Sequence, residues 1–291
     1  LGHRVVPLGG AHDLLRAPAQ LSAVDLVFNL AEGTRGRCRE AWVPMLLEQW
    51  GVPFVGSGAT AQALGLDKVM SKRLAQASGV RTPAWRVVDH PGRLEDVAPL
   101  RFPVIVKPRY EGSGKGIGPE AVVRDREALY RRVEWVIETF RQSALLEEFI
   151  PFGELTVLLI GNNPPQVLPA IQRPLDPESR LASHVGRRTT TAWLAPVTLS
   201  PELDQAAGAM AAAMFRALRC RDLARVDCRV DEAGALYFLE INPLPSFDPE
   251  GSVGLLAELL GVTYAEIIGQ ILNAALLRLG FPRGEALASI T

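Results

Sequence analysis

Late in the chain, two stretches alternate apolar and polar residues: Arg225-Val226-Asp227-Cys228-Arg229-Val230, and Leu239-Glu240-Ile241-Asn242 before Pro243. A period of two marks strands with one buried face. Asp231-Glu232-Ala233-Gly234 between them supplies turn chemistry, so the whole reads as a β-hairpin. Upstream, the pattern predicts a short strand over Leu1–Pro7 and a buried parallel-type strand over Val24–Leu30. A helix over Arg39–Trp50 and a strand over Gly51–Gly56 follow, the strand ending in a Gly-Ser-Gly turn. Such β–α alternation argues for a small parallel sheet. Leu66–Ser78 reads as one helix, stopped by Gly79 with Pro83 beyond it. The pattern then predicts a strand over Pro103–Pro108, a helix over Arg126–Gln142 and a strand over Leu145–Ile150. A strand pair over Leu155–Ile160 and Gln166–Ile171 leads into a mobile loop from Arg173 to Ala192. Helices over Pro201–Leu218 and Tyr264–Leu279 complete the list.

Composition narrows the functional classes. The 291 residues are 48% hydrophobic and 22% charged, ordinary for a globular enzyme of two or three units. A formal net charge of −1 gives no electrostatic case for nucleic acid or an anionic membrane. No apolar run approaches the roughly 20 residues that span a bilayer. The start, Leu1-Gly2-His3-Arg4, carries neither a signal-peptide core nor an initiator Met. Cys38, Cys220 and Cys228 show no metal spacing and no paired framework, which fits a reduced, cytoplasmic compartment.

On the hairpin, Glu240 and Asn242 point to one face and Asp227 can sit across from them. Two carboxylates and an amide oxygen are hard ligands suited to Mg²⁺, an ion that usually bridges to substrate phosphates. Solvated acids near a turn are the commoner meaning of this pattern, so a source of phosphate is needed. Glu111-Gly112-Ser113-Gly114-Lys115-Gly116-Ile117-Gly118 offers one. Glycines let backbone N–H groups approach an anion, and Ser113 and Lys115 add donors. The spacing is neither a P-loop nor a dinucleotide fingerprint, and a plain turn is the alternative. Lys107 lies between apolar neighbours on the preceding strand, where a charge is costly unless paired. It reads as an anion contact or as a salt bridge to a glutamate. The strand edge at Glu147-Glu148-Phe149-Ile150 can hold an adenine ring against its backbone, or be an ordinary edge. Glu154 is a ribose acceptor or an exposed carboxylate.

These segments, in this order, resemble the ATP-grasp superfamily and within it the D-alanine–D-alanine ligases. The match runs through Val55-Gly56-Ser57-Gly58, Leu66-Asp67-Lys68 to Lys72, Val104-Ile105-Val106-Lys107-Pro108 and Glu111-Gly112-Ser113. It continues through Leu146–Ile150, Glu154–Val157, Arg225-Val226-Asp227 and Leu239–Pro245, and so covers most of the chain. The resemblance implies α/β and α+β architecture in three parts. These are a small parallel-sheet domain over 1–62, a central lobe with a glycine-rich lid over 63–150, and a lobe with the metal site over 151–291. It implies that Lys68 and Lys107 contact ATP phosphates, with Glu111, Ser113, Gly114, Lys115 and Gly116 in the lid. Glu147, Glu148 and Ile150 would hold adenine, and Glu154 ribose. Asp227, Glu240 and Asn242 would bind two Mg²⁺ ions (Mn²⁺ being the alternative), with Glu240 bridging. Arg225 would stabilise the oxyanion of a tetrahedral intermediate, near the backbone around Ser246. The implied activity is ATP-dependent carboxylate–amine ligation through an acyl phosphate. D-alanine–D-alanine ligation for peptidoglycan precursors is the leading form, in a cytoplasmic homodimer acting on small amino acid or carboxylate substrates.

The departures concern substrates. Where the family has a His-Gly segment, this chain reads Asn29 to Arg37, with Glu32 at the histidine's place. A loop that brings a Lys-Tyr pair over the site is replaced by Arg180 to Ala192, where Arg187 and Arg188 either take over phosphate contact or are solvated. Ser246 stands where the family has Gly, and Ser252 is the counterpart, one position out of register, of a serine that meets the acceptor carboxylate. The family also begins with a strand, a Gly-Gly loop and a helix, with a glutamate for the first substrate's amino group. This chain enters after that helix, so the expectation is truncation, disorder or loss of that element. Two alternatives stay open: a ligase for other amino acids or small carboxylates, and a nucleotide-binding protein without ligase turnover.

Overall fold

The computed structural model describes residues 2–96, 99–182 and 195–281. The N-terminal part contains α1 (Ala11–Arg16), β1 (Val27–Phe28), α2 (Trp42–Trp50) and β2 (Phe54–Val55). β1 and β2 pair in parallel, Val27 opposite Phe54, and bury Leu14, Leu21, Val43 and Leu47 against them. The strand expected over Leu1–Pro7 does not form across residues 2–7. Val5 is exposed there, so the alternation buries no apolar face.

The single helix expected over Leu66–Ser78 is two, α3 (Ala59–Leu66) and α4 (Lys68–Ala77). Asp67 divides them: its side chain accepts the N–H groups of Val69 at 3.0 Å and Met70 at 3.2 Å. A short acceptor side chain satisfies free amides better as a cap than within a helix. Ala61 and Ala75 of these helices join the core of the C-terminal sheet, so the expected boundary after residue 62 falls inside α3. Gly65 is required there, because a Cβ would lie 2.6 Å from Cδ of Pro243.

Four antiparallel strands make the central sheet, β3 (Trp85–Val88), β4 (Val104–Pro108), β5 (Val122–Val123) and β6 (Ala144–Glu148), ordered β3-β6-β4-β5. α5 (Arg126–Phe140) covers one face and is capped by Asp125, which accepts the Ala128 amide at 2.8 Å. Val104, Val106 and Leu146 face α5 with Val133 and Val136. The pleat therefore turns Ile105, Lys107 and Glu147 the other way.

The C-terminal sheet adds β7 (Gly153–Gly161), β8 (Pro165–Val167), β9 (Ile171–Gln172), β10 (Leu223–Val230) and β11 (Leu236–Asn242), with β8 and β9 both on β7. The single strand expected over Gln166–Ile171 is thus two short ones. α6 (Pro201–Ala217) packs Ala211, Met214 and Phe215 on Val226, Cys228 and Phe238. The opposite face packs Leu158, Ile160 and Leu223 on α7 (Ser252–Leu260) and α8 (Tyr264–Leu279). α8 matches its sequence pattern from end to end and opens with a Thr263–Glu266 capping box, whereas α7 was not anticipated. Among the described residues no single helix is long and apolar enough to cross a membrane.

The hairpin carries one irregularity. Val226 pairs with Ile241 and Asp227 with Glu240, but Cys228 pairs with Phe238, so Leu239 is an extra residue on β11. In a regular strand Phe238 and Glu240 would share a face. The bulge breaks that parity and lets Phe238 enter the core while Glu240 turns out of it.

Asp222, fully buried before β10, ties the parts together. It accepts the Gly56 amide at 2.8 Å, Asn162 Nδ2 at 3.1 Å and Arg278 Nη2 at 2.7 Å, and Arg278 also reaches the carbonyl of Phe54 at 2.8 Å. Asp222→Ala strands that guanidinium, and we expect a loss of about 3 kcal/mol or more in denaturant unfolding; a loss under about 1 kcal/mol would show that the network is not needed.

Candidate active site

The polar face of the hairpin, the back of the central sheet and the loop before α2 enclose one cavity of about 400 Å³. Of the residues singled out in the sequence, Glu32, Lys107, Ser113, Gly114, Lys115, Glu147, Glu148, Ile150, Glu154, Arg225, Asp227, Glu240, Asn242 and Ser252 line it. Lys68 joins through Glu240. Glu111 and Gly116 do not line it, and Arg187 and Arg188 lie outside the described residues.

At the back of the cavity Glu147 is held by two lysines, Lys107 from β4 and Lys72 from α4. Burial alone would raise the Glu147 carboxyl, but Lys107 and then Lys72 bring it down to about 2. Burial lowers Lys72 to about 8 against the pull of Glu147. Lys72 also donates to Thr82 Oγ1 at 2.9 Å. Lys107 thus makes the salt bridge foreseen as one of its two readings and also borders the cavity. Glu147 is an enclosed partner of lysines, not an open edge acceptor. Glu148 is tied to Arg101, which donates from its backbone and its guanidinium at 2.9 Å, and Glu154 accepts Arg229 Nη2 at 2.8 Å.

Each hairpin carboxylate also has a cation. Arg225 grips Asp227 through Nε at 3.1 Å and Nη2 at 2.8 Å. Thr156 Oγ1 donates to Asp227 at 2.8 Å, and Asn242 Nδ2 donates at 3.3 Å. Lys68 Nζ sits 2.7 Å from Glu240 Oε2 and donates to the carbonyl of Glu111 at 2.6 Å. Burial would raise the Glu240 carboxyl; Lys68, Lys107 and Arg225 hold it below the usual range.

The glycine-rich segment opens from a well-anchored root. Arg39 Nη1 donates to the carbonyl of Tyr110 at 2.7 Å, and Gln142 accepts the Tyr110 amide at 2.6 Å. The Glu111 side chain accepts Gln142 Nε2 at 3.0 Å and faces Arg39 at 3.6 Å. Ser113, Gly114 and Gly116 adopt positive φ, and among the described residues their amides donate to no protein group. Free amides at a turn of this kind suit an anion. Gly116 has a second reason to be glycine, since a Cβ there would lie 2.9 Å from the Phe140 ring.

Two features at the front of the cavity complete the site. Ser252 opens α7, and among the described residues its buried Oγ has no hydrogen-bond partner. Glu40, beside Arg39, was not singled out in the sequence. Burial, opposed by Arg39 and reinforced by Glu32, raises its carboxyl to about 7. Its only sequence trace is an acid just ahead of an apolar helix, which usually means a helix start. Thr156 and Arg229 were missed for a similar reason, being single polar residues inside apolar strands.

The donor set can be tested against Mg²⁺. Asp227 and Glu240 are direct cross-strand partners, and Asn242 turns its Nδ2 to Asp227, which leaves its amide oxygen as an acceptor. Two carboxylates and an amide oxygen on one polar face fit a hard, oxygen-seeking dication. Among the described residues no three His, Cys, Asp or Glu side chains form a cluster able to hold a metal by themselves.

Known proteins resemble this chain in sequence and in fold. Residues 74–273 match the family model described as D-ala D-ala ligase C-terminus. The chain is 36% identical over 254 residues to the uncharacterized protein y4sG of Sinorhizobium fredii, covering 86% of this chain and 74% of that one. It is 33% identical to a D-alanine–D-alanine ligase of Synechococcus sp. (strain JA-2-3B'a(2-13)), covering 95% and 84%. In fold it is similar to the ATP-complexed D-alanine–D-alanine ligase from Bacillus anthracis, with a TM-score of 0.72 and 23% identity over 95% of this chain and 87% of that one.

The triad yields a pH prediction. In the unfolded chain Glu147 protonates near 4.5, and in the fold only near 2. Its stabilising contribution is therefore complete above pH 4.5 and lost as the pH falls from 4.5 towards 2. Glu147→Gln leaves two lysines facing a neutral amide, and we expect it to cost about 3 kcal/mol at pH 7. In thermal melts that deficit should narrow below pH 4.5; a deficit constant down to pH 2 would count against the ion triad.

Proposed function

This chain belongs to the D-alanine–D-alanine ligase family, and on that footing we propose how its cavity joins a carboxylate to an amine at the expense of ATP. It is an ATP-dependent ligase that forms a carbon–nitrogen bond. The observation that carries the residue assignments is the meeting, in one cavity, of a glycine-rich turn with free amides, cavity-facing Lys107 and the hairpin carboxylates.

A carboxylate is a poor electrophile, so its oxygen first takes the γ-phosphoryl group of ATP to become an acyl phosphate. An amine then attacks the acyl carbon, phosphate leaves and an amide remains. Lys107 and Lys68 neutralise the phosphates, Lys107 being held in place by Glu147. The amides of Ser113 and Gly114 close over the phosphates and keep water from the acyl phosphate. The backbone at Glu148 and Ile150 meets adenine between Ile105 and Phe149, and Glu154 meets the ribose. Asp227, Glu240 and Asn242 would hold Mg²⁺, which when bound supplies charge neutralisation and alignment of the transferring group. Arg225, two residues from Asp227 on the same face, stabilises the oxyanion that develops when the amine attacks. Ser252 Oγ and the α7 N-terminus receive a substrate carboxylate.

D-alanine is the substrate we assign to both positions, in supply of peptidoglycan precursors in the cytoplasm, where ATP is available. Trp42, Met45 and Trp50 leave apolar surface exposed on or at the end of α2, which supports self-association through the N-terminal part.

The test is direct. Purified protein with Mg-ATP and a panel of D- and L-amino acids should release phosphate and form dipeptide with D-alanine, and phosphate release with no member of the panel would overturn the ligase reading. Glu240→Gln should slow phosphoryl transfer by about a hundredfold or more; activity within about twofold of wild type would exclude Glu240 as a metal-bridging carboxylate.

A further inference from the structure

Glu40 stands apart from the other buried and half-buried acids of the cavity, Glu32 and Asp248 in the same lining being exposed. Asp227, Glu147, Glu148, Glu154 and Glu240 each face a lysine or arginine within ion-pair distance. Glu40 lines the same cavity, yet among the described residues it accepts no hydrogen bond and makes no ion pair. The charges that act on it are Arg39, Glu32, Lys68 and Glu240. Both cations are already engaged: Arg39 with the Tyr110 carbonyl and Glu111, Lys68 with Glu240 and the Glu111 carbonyl. The other two neighbours are acids.

A half-buried carboxylate without its own counter-charge is costly, and the raised Glu40 carboxyl expresses that cost. A ligand cation would remove it. ATP brings only negative charge. The Mg²⁺ proposed at Asp227 and Glu240 would have its charge met by those two carboxylates and by phosphate. What remains is a cation on the organic substrate, and in a ligase that group is the amine, which arrives as an ammonium ion. The orphan Ser252 hydroxyl on the same cavity suits the opposite end of a zwitterion.

We propose that Glu40 receives the ammonium group of the acceptor amino acid. The proposal rests on the ligase reading above and adds the residue that recognises the amine. Its discriminating property is that a neutral nucleophile does not need it. Hydroxylamine is largely uncharged near neutral pH and traps an acyl phosphate as a hydroxamate.

Wild type and Glu40→Gln are compared with Mg-ATP and D-alanine in two assays: dipeptide formation, and hydroxamate formation in excess hydroxylamine. ATP affinity by calorimetry checks that the variant's nucleotide site is intact. In Glu40→Gln the KM for the acceptor D-alanine should rise about tenfold or more, the scale of a lost charge-assisted hydrogen bond. Dipeptide formation should fall at least about tenfold further than hydroxamate formation, and Glu40→Asp should recover part of the loss. Equal losses in the two assays, or an acceptor KM within twofold of wild type, would overturn the role of Glu40. Neither product from the wild type would overturn the ligase reading itself, and this proposal with it.

Discussion

A carboxylate taken into a protein interior costs several kcal/mol unless a cation comes with it, and Glu147 goes in with two. Lys72 arrives from a helix packed on the C-terminal sheet and Lys107 from a strand of the central one, so the triad is also a joint between the two sheets. The same requirement recurs around the cavity. Arg225 accompanies Asp227, Lys68 accompanies Glu240 and Arg229 accompanies Glu154. A cavity assembled this way presents fixed charges on both signs before any ligand arrives, which is the preorganisation that phosphoryl transfer draws on.

The long-range ties explain why the parts hold register with one another. Asp222 and Arg278 bind β2 to the C-terminal sheet and α8, Arg39 fastens the root of the glycine-rich turn to the segment before α2, and Lys68 spans from the Glu111 carbonyl to the hairpin. Each of these is a charged hydrogen bond at 2.6 to 2.8 Å, where bond strength is most sensitive to geometry. The two sides of the cavity are therefore positioned by the same few side chains.

Much of this was legible in the chain. Period-two alternation gave the hairpin, and the pairing of Asp227 with Glu240 follows once the turn is located. The apolar run around Lys107 marks a buried strand with a charge that needs a partner, although only the fold shows that Glu147 supplies it and is shared with Lys72. Other features are not written locally. Asp67 breaks a helical pattern because capping outweighs propensity. Residues 2–7 have strand character but bury no apolar face. α7 begins in a glycine-containing stretch and is selected by packing on Leu158 and Leu223. Glu40 is conspicuous only through what is missing around it in three dimensions, a property no residue pattern carries.

The extra residue at Leu239 has a consequence for how such a protein can change. Side-chain direction along β11 is set by counting from the core residue Phe238, and the bulge inserts one step into that count. Loss of the Leu239 codon would leave Phe238 and Glu240 as neighbours on a regular strand, facing opposite ways, so Glu240, Ile241 and Asn242 would keep their present faces; flattening the bulge with Leu239 retained would instead put Glu240 on the face that Phe238 occupies. Length variation in the Asp231–Gly234 turn leaves that count untouched. Insertions and deletions can accumulate at the tip of the hairpin, while in its stem the bulge at Leu239 is a place where loss of a residue leaves the order of faces unchanged.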